Sequence, residues 1–173
     1  MSQHYYLLDT NIVGHLAKLK SGDRSAESLS LQRRLNDLPN DTKLLLCPIS
    51  IGEIEAGLQV DYPHTDKQTM AREIIATFDC LNINANIARH NYAVLRGRLF
   101  NRYAPKGSDN RKKKRINEWK DPTTSDLLQA DENDLWIAAV AMAHNLILVT
   151  RDKMTAIKAI SCGDVLFENW IDE

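Results

Sequence analysis

Seven glycines are spread thinly through 173 residues, and none of them builds a GxGxxG turn or a P-loop. Dinucleotide and Walker-type nucleotide sites are therefore excluded. No GxSxG elbow and no HExxH pair is present, which removes the serine-hydrolase and zincin signatures. The five histidines (His4, His15, His64, His90 and His144) are scattered without ligand spacing. The three cysteines, Cys47, Cys80 and Cys162, lack a CxxC pair. An odd number without a secretory signal implies reduced thiols in a cytoplasmic protein. No apolar run approaches the ~18 residues of a membrane span, and no cleavable leader precedes the first strand-like run. Lys and Arg total 22 against 23 Asp and Glu, so net charge selects no partner.

The chain does hold enough for one core: 43% of its residues are hydrophobic, and its length suits a single domain. Short apolar runs at 5–8, 44–47, 80–83, 146–150 and 165–167 read as strands. Helical spacing is carried by residues 12–19, 29–38, 67–78, the stretch after Asn84, and 131–144. Ser50 and Glu53 have the spacing of a capping box opening another helix. Strands alternating with helices predict an α/β fold with a parallel sheet of four to five strands covered on both faces. Residues 105–125 read as a polar, periodless surface insertion. Within it, residues 106–120 carry seven basic side chains against Asp109 and Glu118, while residues 121–134 carry five acids and no Lys or Arg. The basic run, above all Arg111, Lys112, Lys113, Lys114 and Arg115, has two readings: contact with phosphates or a solvated loop. Trp119 beside it would either stack a base or pack the loop down.

Four acids stand at element ends: Asp9 after Tyr-Tyr-Leu-Leu, Glu53 after Leu-Leu-Leu-Cys-Pro-Ile, Asp134 opening Leu-Trp-Ile-Ala-Ala, and Asp152 after Leu-Ile-Leu-Val-Thr. A carboxylate beside apolar core is costly unless paired or metal-bound. In parallel sheets ligands gather at the carboxyl ends of the strands, where this topology sends all four acids. Such a set suits Mg²⁺ or Mn²⁺ and phosphodiester cleavage. Each acid also has a local reading. Asp9 and Asp152 suit turns or helix caps, Glu53 would partner Ser50, and Asp134 would favour a helix N-terminus.

The four blocks resemble the PIN-domain family, and within it the VapC-type toxins of type II toxin–antitoxin pairs. They are Tyr-Leu-Leu-Asp9-Thr-Asn-Ile, Pro48-Ile-Ser-Ile-Gly-Glu53, Asn133-Asp134-Leu-Trp-Ile-Ala-Ala and Leu-Val-Thr-Arg-Asp152, followed by Leu166-Phe-Glu-Asn-Trp170. The resemblance implies a three-layer α/β/α fold and an Mg²⁺- or Mn²⁺-dependent endoribonuclease. Asp9, Glu53, Asp134 and Asp152 would be its metal ligands and catalytic acids. Thr10, Asn11 and Thr150 would orient them by hydrogen bonds, with helix-start duty as the other reading of Thr10 and Asn11. It further implies a cognate antitoxin, a homodimer and no membrane. Two departures stand out: Lys153-Met154-Thr155-Ala156 follows the fourth acid where relatives carry an Asn turn and an acid-Phe pair, and the basic insertion is long. The alternative is a non-catalytic or differently specific metal-binding PIN-like module, binding nucleic acid or cutting DNA. An aspartyl phosphatase needs a second acid two residues after the first, and Asn11 stands there.

Overall fold

The structure, a computed structural model, describes residues 5–60, 65–106 and 115–171, and the side chains of Thr65 and Lys67 are outside that description. The described residues form two compact units. The first takes in the residues up to Asn82, residues 146–152 and those from Leu166 on; the second takes in residues 83–145 and 153–165.

The first unit carries the whole sheet: β1 (Tyr5–Leu8), β2 (Lys43–Leu46), β3 (Asp79–Cys80), β4 (Ile147–Val149) and β5 (Leu166–Glu168). All four pairings are parallel, in the order β3-β2-β1-β4-β5. Leu7 and Leu8 of the central strand are wholly buried, the continuous apolar pattern of a parallel strand covered on both sides. Its helices are α1 (Thr10–Lys20), α2 (Ala26–Asn36), α3 (Pro48–Val60) and α4 (Thr65–Ile75). Their apolar faces close a core of Tyr6, Leu8, Ile12, Val13, Leu31, Leu46, Ile74, Val149, Trp170 and Ile171. Successive connections step from β1 to β2 to β3 on one side, and β4 lies on the other. The strand order therefore reverses beside β1, where parallel sheets open a crevice for ligands.

The capping box expected at Ser50 and Glu53 is absent. Helix α3 already begins at Pro48, whose missing N–H suits a first helical position. Ser50 is fully buried and its hydroxyl donates to the Leu8 carbonyl at 3.4 Å, leaving Glu53 for another partner.

The second unit contains α5 (Ala85–Ile87), a π-helical stretch Ala88–Tyr92, α6 (Ala93–Tyr103), a 3₁₀ turn Ile116–Glu118, α7 (Glu132–His144) and α8 (Thr155–Ser161). Asn84 caps α5 as its place in the sequence suggests, accepting from Asn86 N and Ile87 N. Tyr92 and Trp136 stack with centroids 3.8 Å apart, joining the π stretch to α7. The reading of 105–125 as a polar, periodless surface insertion needs correction over residues 115–125, since residues 107–114 lie outside the described residues. Ile116 and Trp119 are buried, Trp119 packs edge-on against Phe100 at 6.0 Å, and Lys120 bridges Leu127. Trp119 thus anchors this segment through its large apolar area rather than offering a free stacking face.

Candidate active site

Asp9 follows the last residue of β1, and its N–H donates to Val149 O at 3.0 Å, so it continues the ladder with β4. Its backbone is extended (φ −73°, ψ 159°), and its carboxylate caps α1 by accepting from Thr10 N at 2.7 Å. The capping reading of Asp9 is therefore correct, but it uses only one oxygen. The other, Oδ2, accepts from Thr150 Oγ1 at 2.7 Å and from Asn11 Nδ2 at 2.9 Å. Asp9 is only 3% exposed. Burial pushes its pKa up to about 6 from an ordinary 3.8, with the Asp152 and Glu53 charges adding to the rise and the Thr150 and Thr10 hydrogen bonds opposing it.

The two residues after Asp9 each hold a second acid. The Thr10 hydroxyl donates to Glu53 Oε2, which brings α3 to the start of α1. The Asn11 amide donates to Asp152 Oδ2 at 3.0 Å as well as to Asp9, and lies 3.2 Å from Thr150 Oγ1. Thr150 also accepts from Asp152 N at 3.0 Å. The run Asp9-Thr10-Asn11 thus supplies one acid and the tethers of two others. Asp9, Glu53 and Asp152 are brought together in the first unit, with Thr10, Asn11 and Thr150 holding them.

Asp134 belongs to the second unit, in the first turn of α7. Asp131 is the N-cap, accepting from Asn133 N and Asp134 N, and Asp134 Oδ2 accepts from Asp131 N at 2.8 Å. This reciprocal capping box bears out the local reading of Asp134 and fixes its side chain. Of the basic residues singled out in the sequence, Arg111, Lys112, Lys113 and Lys114 lie outside the described residues, and Arg115 is exposed at the start of the 3₁₀ turn.

Sequence reading missed the fastening of the loop after β4. Arg151 N donates to Asn11 Oδ1 at 3.1 Å, and its guanidinium pairs with Glu27 of α2. That pair also borders His15, a buried side chain whose Nδ1 has no hydrogen-bond partner among the described residues. These partners are more than a hundred positions apart from Arg151, and no local pattern announces them. A groove of about 460 Å³ was missed too. It runs between α1, α3 and α4 over Val13, Ala17, Ile54, Leu58 and Met70, and reaches Thr10 and Glu53.

Among the described residues, no three His, Cys, Asp or Glu side chains stand close enough to hold a metal ion as they are. The chemistry of the donors nevertheless fits a hard divalent cation. Every acid presents oxygen, the Asp152 and Glu53 charges bear on buried Asp9, and a cation would relieve that repulsion. At present, hydroxyl and amide donors from Thr10, Asn11 and Thr150 share the carboxylate oxygens.

Fold and site together describe an α/β chain with acids gathered where its parallel sheet reverses strand order. The PIN-domain family model matches residues 6–160, so the chain belongs to the PIN-domain family. Its fold is similar to that of VapBC2 from Rickettsia felis bound to a DNA fragment from the promoter, at 20% identity and TM-score 0.64, covering 96% of this chain and 98% of that one. VapBC-1 from nontypeable Haemophilus influenzae is alike at 20% identity and TM-score 0.63, with 96% and 98% covered. DNA-bound VapBC from Salmonella typhimurium gives 17% identity and TM-score 0.63, with 97% and 99% covered. No curated protein matches the chain.

Proposed function

We propose that this PIN-domain protein is a metal-dependent endoribonuclease that hydrolyses RNA phosphodiester bonds as the toxin of a toxin–antitoxin pair. The observation that carries the reading is the buried Asp9 carboxylate, charge-strained by Asp152 and Glu53 at the strand-order reversal. Asp9, Glu53 and Asp152, together with Asp134 on the strength of its sequence block, would hold Mg²⁺ or Mn²⁺. A bound ion of that kind supplies Lewis acidity toward a phosphate and lowers the pKa of water. The chain's own contribution is positioning. Thr150 and Asn11 hold Asp9 Oδ2, Thr10 holds Glu53, and Asn11 holds Asp152. Hydrogen-bond partners of this kind orient metal ligands and sharpen affinity. The basic residues Arg111, Lys112, Lys113 and Lys114 would neutralise RNA phosphates.

The similar solved structures carry the name VapBC. By that likeness the partners are a cognate antitoxin and a second copy of the chain, in the cytoplasm. Among the described residues no helix is long and apolar enough to cross a membrane. The apolar groove that ends at Thr10 and Glu53 suits an antitoxin segment, because an occupant there would lie against two groups of the acid site. The test is incubation of the purified chain with total RNA. Fragments are expected with Mg²⁺ or Mn²⁺ and none with EDTA or in Asp9→Asn. Equal cleavage by wild type and Asp9→Asn overturns the assignment, and degradation of DNA in place of RNA overturns the substrate.

A further inference from the structure

The second unit holds a pocket of about 370 Å³ whose walls include Arg96, Arg115, Ile116, Asp131 and Glu132. Two cations and two carboxylates line it, so its charges sum to neutral. A phosphate needs an excess of positive charge; a neutral lining with donors beside acceptors suits an uncharged, hydrogen-bonding ligand.

The pocket is held firmly on one side. Arg96 donates to Glu132 at 3.1 Å and lies over the Trp119 ring, 5.3 Å from its centroid. Glu132 also accepts from the Tyr92 hydroxyl, and Tyr92 is stacked on Trp136. Buried Ile116 supplies an apolar surface. The other side is available. Asp131 spends Oδ1 on Asn133 N and Asp134 N, and its Oδ2 has no hydrogen-bond partner among the described residues. Arg115 has no ion pair among the described residues.

We propose that this pocket is a nucleobase subsite selective for guanine, with Arg115 and Asp131 as its reading groups. A guanidinium seeks two adjacent acceptors, and guanine offers O6 and N7. Asp131 Oδ2 keeps its lone pairs for donors, and guanine offers N1–H and the 2-amino group side by side. Adenine, cytosine and uracil do not carry both pairs. The capping box that closes one wall also fixes Asp134, so a base seated here lies within one helical turn of that acid. The inference rests on the reading of the chain as an RNA-acting protein and names the base that such a protein selects.

The experiment is fluorescence anisotropy with labelled UUGUU, UUAUU and UUIUU pentaribonucleotides, where I is inosine, in EDTA so that no metal chemistry intervenes. Wild type is expected to bind UUGUU about tenfold more tightly than UUAUU, with inosine between because it lacks only the 2-amino group. Asp131→Asn keeps the helix cap and should bring UUGUU to the UUAUU level. Arg115→Ala, at an exposed position, should weaken UUGUU more than UUAUU. Equal affinity for G and A in wild type, or an unchanged G/A ratio in both variants, overturns the proposal. Equal loss for both oligonucleotides in Arg115→Ala does so too, since it marks a phosphate contact. RNA cleavage without guanine selectivity would sink this inference alone. Guanine selectivity without cleavage in Mg²⁺ or Mn²⁺ would support it and sink the proposed function.

Discussion

Asp9→Asn should make the metal-free protein more stable at neutral pH. Asp9 is 3% exposed, and its pKa is pushed up to about 6 from 3.8. A carboxyl with a higher pKa folded than unfolded binds its proton more tightly in the folded state. Stability contributed by that proton is therefore fully present below the unfolded value of about 4 and is lost as pH rises from there to about 6. At pH 7 the ionised group costs the fold about 3 kcal/mol. Asparagine keeps the shape and removes the charge, but one of its ends is now a donor. It cannot accept from Thr10 N on one side and from both Thr150 and Asn11 on the other. That mismatch returns about 1–2 kcal/mol. The net gain is about 1–2 kcal/mol, or about 2–8 °C in Tm for a chain of this size. Urea unfolding in EDTA at pH 7 and pH 5 measures it. The advantage of Asp9→Asn should shrink by about 1 kcal/mol at pH 5, where folded wild type is already mostly protonated. Saturating Mg²⁺ should reverse the ranking, because ligand linkage stabilises only the form that binds. A variant less stable than wild type in EDTA, with a gap indifferent to pH, refutes the reasoning.

Three other outcomes follow from the same contacts. Asn11→Ala removes the amide shared by Asp9 and Asp152 and the acceptor for Arg151 N, so Mn²⁺ affinity should fall about 10- to 100-fold by calorimetry while the fold persists. Trp119→Ala empties a site 1% exposed beneath Phe100 and Arg96 and should cost about 3–5 kcal/mol in urea titrations; a loss under 1 kcal/mol would mean that the ring is not an anchor. Ser50→Ala deletes the buried hydroxyl bond to Leu8 O and should cost about 1 kcal/mol without altering metal affinity, whereas a helix-cap role would show as loss of α3 helicity by circular dichroism.

Much of the fold was legible because the strands are short, continuous apolar runs closed by polar residues, and both features survive in a single sequence. Asp9 was visible as the residue just past one strand-like run and Thr150 as the last residue of another, and the β1–β4 pairing places them side by side. The Ser50–Glu53 spacing misled, since a capping box and an interior helical turn share that interval. Only burial distinguishes them: Ser50 is inside, and Glu53 turns to Thr10. Trp119 had two open readings because a ring inside a charged stretch gives no period to assign its face. The Arg151–Glu27 pair and the pocket beside Asp131 depend on contacts between distant segments, which no local spacing encodes.

The central claim of the proposed function is that Asp9, Glu53, Asp134 and Asp152 serve in binding divalent cations. Mn²⁺ binding followed by electron paramagnetic resonance tests it most directly, with wild type beside Asp9→Asn, Glu53→Gln, Asp134→Asn and Asp152→Asn. Saturable binding in wild type, weakened in every one of the four variants, is the predicted result. No saturable Mn²⁺ binding by wild type, or binding that all four variants leave unchanged, would contradict it.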